Sequence, residues 1–206
     1  MKLVNRIGLA FMIIGILMGA YYTFEWYKGK SSAQDLTIEE IKSFEKAQQK
    51  ESITEIPVNS QMSSSQMQYK EGEKVATLNI PKIKKKFSVH WGTDENTLKK
   101  GVGMFVSDIT TVPSERGHTV LSGHRDTVFI ELGELKEKDS LVVEYDKKIY
   151  TYEIRKMWIT HADDRTVIVK KEEPTLTLTT CYPFDYIGDA PDRYIIEAKL
   201  IATYSK

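Results

Sequence analysis

Hydrophobic and polar positions fall into three regimes along this chain. Residues 7–24, IGLAFMIIGILMGAYYTF, carry no charge. As a helix rising about 1.5 Å per residue they would reach roughly 27 Å, close to the hydrocarbon thickness of a bilayer. Residues 31–74 are mostly polar. Within them, DLTIEEIKSFEKAQQ sets Thr37 three residues before Glu40 and Leu36 ahead of Ile41, a capping box with a hydrophobic staple that predicts a helix from Ile38. The apolar stripe of that helix, Ile38, Ile41 and Phe44, is narrow and reads as a stalk. Residues 57–74, PVNSQMSSSQMQYKEGEK, have no apolar period and read as linker.

From Val75 onward the period becomes two. VATLNI, HTVLSG, SLVVEY, IYTYEIR, TVIVK, PTLTLTT and RYIIEAKLIATY are predicted strands, separated by turn signals. SLVVEY and IYTYEIR flank Asp146, Lys147 and Lys148 as a hairpin, with Tyr150, Tyr152 and Ile154 on one face. Residues 94–104 and 127–136 are the predicted short helices. So many strands in about 130 residues make the domain mainly β, as a closed barrel or a sandwich. The predicted organisation is a membrane anchor over 1–30, a stalk and linker with a short helix over 31–74, and a β domain over 75–206.

Charge adds little: 29 Lys and Arg balance 29 Asp and Glu, so no global field points to nucleic acid or to an acidic partner. The apolar segment reads as an uncleaved anchor rather than a signal peptide, because Met18 stands where cleavage after Ala20 would want a small residue. Lys2 and Arg6 are matched by Lys28 and Lys30, so the short leader is what favours an N-terminus inside. Tyr21, Tyr22, Trp26 and Tyr27 suit the far membrane interface.

The chain has one cysteine, Cys181, so no intramolecular disulfide can form. In TLTLTTC the residues Leu176 and Leu178 share one strand face, while Cys181 has the parity of Thr175, Thr177 and Thr179. The thiol therefore faces away from the leucines, which counts against a core-filling role. Pro183 ends the strand, leaving Cys181 at its tip, on a loop margin. A nucleophilic thiol needs a base or a cation beside it. Four histidines qualify: His124, after Gly123 at the end of HTVLSG; His118, at the start of that strand; and His90 and His161, in plainer surroundings. Arg193 shares strand parity with Glu197 and Lys199, opposite an apolar face of Tyr194, Ile196, Ala198 and Leu200, and reads equally as a surface ion-pair member.

TLTTC at 177–181, Gly123 and His124 followed by RDT, and the Arg193 strand after the cysteine resemble the sortases, membrane-anchored cysteine transpeptidases of Gram-positive bacteria. The resemblance runs from about Val75 to the C-terminus, and VLSGHRDTVF is similar to the class D branch; Met104 departs from it, standing where relatives have histidine. It implies a closed eight-stranded sortase-type β-barrel outside the cell. Cys181 would attack the threonine carbonyl of a Leu-Pro-x-Thr-Gly-like sorting signal, His124 would move protons, Arg193 would bind the substrate backbone or oxyanion, and the Thr180 hydroxyl would assist. The implied partners are secreted proteins bearing the signal, an amine from a peptidoglycan precursor or a pilin lysine, and the membrane through residues 7–24; no cofactor is implied. No HExxH or other metal spacing occurs. A hydrolytic thiol peptidase is the nearest alternative, although papain-type order and the caspase signature are both absent. A non-catalytic, membrane-tethered β domain is the other.

Overall fold

The period-two runs pair, and the pairing closes on itself. The computed structural model describes residues 2–30, 32–50, 69–185, 188 and 190–205, so residues 57–68 of the linker predicted over 57–74 lie outside the described residues. The N-terminal part consists of helix α1 (Lys2–Lys30), strand β1 (Ala33–Asp35) and helix α2 (Ile38–Lys50). Then follow β2 (Lys74–Ile80), β3 (Lys85–Trp91), the single-turn helix α3 (Glu95–Leu98), β4 (Val102–Met104), β5 (His118–Ser122), β6 (Ser140–Tyr145), β7 (Lys148–His161), β8 (Thr175–Tyr182) and β9 (Asp192–Ser205). Strands run in the order β3, β2, β6, β7, β9, β8, β5, β4, and β4 returns to β3 in parallel, with Val89 opposite Val102. The result is the closed, mainly β barrel of eight strands that the resemblance implies, where the strand pattern by itself left barrel or sandwich open. Closure removes the free edges that an open sheet would expose.

Alternation decides which side chains fill the barrel. Leu78, Phe87, Leu141, Tyr152, Leu176 and Leu178 are all buried in one cluster, as are Tyr150 and Ile154 on the face read from the sequence. The hairpin between β6 and β7 turns through Asp146 and Lys147 alone, both with positive φ (46° and 59°), the primed geometry that matches strand twist.

Three local expectations fail for physical reasons. TVIVK is not a strand, because β8 already has β5 on one side and β9 on the other, leaving no edge to pair with. Its Val167 is instead buried within the β7–β8 loop. Residues 94–104 are helical only over Glu95–Leu98; Gly101, at φ 150°, breaks the turn and Val102–Met104 enter the sheet. Residues 127–136 form only a 3-10 turn at Leu132–Glu134. Three strands were missed, β3 behind its run of lysines, and β1 and β4 because each is only three residues long.

The segment expected as a stalk docks on the barrel. β1 adds to the free half of the β3 edge, with Ala33 opposite Phe87 and Asp35 opposite Lys85. The capping box forms: Thr37 N donates to Glu40 Oε2 at 2.8 Å and Glu40 N to Thr37 Oγ1 at 3.2 Å. The Thr37 backbone bond, then Lys86, hold the Glu40 carboxyl down at about 2. Leu36 and Phe44 are buried with Val142 and Ile149 in a second cluster, with Ile41 and Tyr204 packed against it, while Ile38 stays exposed. Near the terminus, Arg6–Phe24 is long and apolar enough to cross a membrane.

This docking has a direct test. Burying an aromatic side chain such as Phe44 is worth about 2 kcal/mol, so Phe44→Ala is expected to speed amide exchange in α2 roughly 30-fold, while Ile38→Ala leaves it nearly unchanged. Equal effects from the two variants would show that α2 does not rest on the barrel.

Candidate active site

The site begins where β5 runs out. Ser122 is its last residue, and Gly123 N still donates to Thr179 O at 3.2 Å, so β5 and β8 stay bonded to the edge of the loop carrying His124. Gly123 is required by crowding: a Cβ there would lie 2.7 Å from the side chains of Val128 and Phe129. Phe129 is fully buried, packs edge-on to Phe87, and its N–H donates to the His124 carbonyl at 3.0 Å. The loop 124–129 is thereby pinned at both ends, with His124 at its outer lip.

Across from that lip, β8 and β9 pair antiparallel, and their register sets Cys181 directly opposite Arg193 and Thr179 opposite Ile195. All four line one open groove of about 460 Å³ together with His124 and Thr180. The parity argument explains this: Leu176 and Leu178 lie in the core, and the odd-numbered residues face outward. Cys181 is half-buried. Arg193 Nη1 donates to the carbonyls of Ala190 (3.1 Å) and Asp192 (2.9 Å), so the guanidinium is held by backbone carbonyls next to it in the chain, with no carboxylate partner among the described residues. Thr180 Oγ1 donates to Gly123 O at 2.8 Å. The hydroxyl proton needed for the oxyanion role expected of Thr180 is therefore already used, to tie β8 to the His124 loop.

One wall of the groove is the β7–β8 loop with Asp164, Val167 and Ile168, and the other includes Thr93, Leu98 and Phe105. Sequence reasoning missed these walls. Asp164 accepts from the Thr160 hydroxyl and from Thr166 N, and these bonds hold its carboxyl at about 2. The TxxxDxT spacing was the available sign of such a turn.

The four histidines separate by place. His124 lines the groove, and so does His161, whose side chain is largely exposed beside Asp163. His90 is buried in β3, and burial pushes its pKa down. His118 is fully buried, with Nδ1 2.7 Å from Val169 O and Nε2 2.7 Å from Thr177 Oγ1. A carbonyl only accepts, so Nδ1 carries the proton and Nε2 of the neutral ring accepts from Thr177. His118 thus fastens the β7–β8 wall to the sheet. Among the described residues, no group of three or more His, Cys, Asp or Glu side chains is placed to hold a metal ion.

A closed barrel with its one cysteine on a groove that also takes in a histidine and an arginine has the side chains a cysteine enzyme needs. The family model described as "Sortase domain" matches residues 78–201. Sortase D of Bacillus subtilis (strain 168) is 36% identical over 196 residues, covering 95% of this chain and 98% of that one. The solved catalytic domain of SrtD from B. anthracis is 79% identical, with a TM-score of 0.60 over 72% of this chain and all of that one. A Clostridium perfringens Sortase D5 transpeptidase is 26% identical, with a TM-score of 0.58 over 76% of this chain and 94% of that one. The chain belongs to the sortase family of cysteine transpeptidases, and its likeness is to class D.

His118 makes the stability of the protein depend on pH. Burial pushes its pKa below the ordinary value, so the unfolded chain, titrating near about 6.5, takes up a proton that the folded chain refuses. Stability is therefore expected to fall as pH drops through that value. The urea midpoint of the wild type should decline between about pH 7 and about pH 5, and His118→Gln, which keeps a donor and an acceptor but does not titrate, should remove part of the slope, with His90 among the groups supplying the remainder. An unchanged slope would show that His118 is not held neutral.

Proposed function

We propose that this sortase cleaves a Leu-Pro-x-Thr-Gly-like sorting signal after threonine and joins the threonine to an amine of a peptidoglycan precursor, anchoring secreted proteins to the cell wall. The observation that carries the reading is the cross-strand register of Cys181 with Arg193 on the wall of a groove that also takes in His124. Leu98, Phe105, Val167, Ile168 and Ile195 give that groove an apolar lining suited to the leucine and proline of such a signal.

In this mechanism the Cys181 thiolate attacks the threonine carbonyl carbon, and the C–N bond to the next residue breaks. His124, as imidazolium, gives its proton to the departing amine, leaving a thioester on Cys181. The incoming amine then attacks the thioester, His124 takes its proton, and the thiolate leaves. Arg193 carries a permanent charge and directs donors at the developing oxyanion or the substrate backbone. Thr180 contributes by holding the His124 loop against β8. Anchoring runs through residues 7–24, with the N-terminus inside and the barrel outside, where secreted substrates emerge.

The test mixes the full chain with Leu-Pro-x-Thr-Gly peptides and a small amine, read by mass spectrometry. A threonine amide of the added amine is expected from the wild type and none from Cys181→Ala. His124→Ala should lower the rate at least about 100-fold, and Arg193→Lys by a comparable factor, because a lysine cannot reproduce the planar fork. Free threonine acid despite ample amine would point to a hydrolase instead. Full activity in His124→Ala would remove the histidine from the mechanism.

A further inference from the structure

Arg125 follows the groove histidine directly but is not among the residues that line the groove. Its Nη2 donates to the carbonyl of Gly188 at 2.6 Å, in the connector between β8 and β9. Gly188 has φ 120°, a conformation that residues with a Cβ rarely adopt, so the carbonyl is presented by a turn that favours glycine. Two residues on, the same connector is held by Arg193 through Ala190 O, and again at Asp192 O. Gly188 and Ala190 are thus each held by a guanidinium, one rooted in the loop of His124 and one in the strand of Arg193.

The connector starts just after Cys181 and ends at Arg193. Strand pairing fixes those two residues relative to each other. The loop of His124 has a separate origin, at the end of β5, and it meets β8 at the Thr180 to Gly123 bond. The bonds of Gly123 and Phe129 fix the loop to β8 and to the core, and the Arg125 to Gly188 bond adds a tie from the residue after His124 to the β8–β9 connector. We infer that Arg125 is a positioning residue, whose bond to Gly188 holds His124 at working distance from Cys181. The inference rests on the reading of those two residues as the reacting pair. A charge-assisted bond to a carbonyl suits the role, since the planar guanidinium has a fixed donor direction that a lysine ammonium lacks.

Alkylation of Cys181 by iodoacetamide in the full chain, in detergent at about pH 7, reads the pair without any substrate. An imidazolium beside the thiol raises the thiolate fraction, so His124→Ala is expected to slow alkylation about 10-fold in the wild-type background. In the Arg125→Ala background the same change should slow it two-fold or less, about the noise of such cycles, with Arg125→Lys falling between. Arg125→Ala should also lose the histidine-dependent step in the pH profile of alkylation, which a purely structural contact would not move. Gly188→Ala, which disturbs the same bond from the acceptor side, serves if Arg125→Ala does not fold, as judged by circular dichroism. An equal effect of His124→Ala in both backgrounds would overturn the inference. No effect of His124→Ala in the wild type would overturn the reading of the reacting pair, and the inference with it.

Discussion

Backbone pairing of β8 with its two neighbours is the constraint on which the rest depends. β8 takes parallel bonds from β5 over His118–Ser122 and antiparallel bonds from β9 over Asp192–Lys199. A slip of one residue on either side would send Cys181 into the core and Leu178 into water, reversing every side chain of the strand. The leucines therefore secure the register through burial, and the cysteine, threonines and arginine inherit their placement from it. Function here depends on a choice of face that packing makes.

The outward face of that sheet is not left to solvent. Thr177 and His118 form a buried polar pair beneath the β7–β8 loop, with every ring nitrogen partnered. Nearby, Lys171 pairs with Glu197 at 2.9 Å, both largely shielded. A buried polar group without a partner costs more than a typical hydrogen bond contributes, so this layer holds together only as a complete set. Its completeness keeps the wall of the groove standing without secondary structure of its own.

What the sequence made legible follows the range of the interactions involved. The faces of Cys181 and Arg193 could be read because alternation is local, and the Asp146–Lys147 turn because its chemistry is local as well. TVIVK misled because strand propensity says nothing about whether a neighbouring edge is free, and that depends on β5 and β9. The docking of α2 was hidden for a similar reason: Phe44 finds its partners at Val142, Ile149 and Tyr204, all far along the chain. One sign was present, since Val142 sits as an apolar residue on the otherwise polar face of SLVVEY. The choice among histidines needed the third dimension, as His118 and His124 lie at opposite ends of one short run and differ only in what covers them.

The pairing of β1 with β3 also decides how far the enzyme can travel. Ala33 is already bonded into the barrel edge three residues after Lys30 closes α1, and three extended residues span at most about 11 Å. The long polar stretch before β2 comes after that attachment in the chain, so its length adds nothing to the tether between α1 and the barrel. If α1 is the anchor, the groove patrols a thin layer at the bilayer surface, and a donor or acceptor must come down into that layer to react.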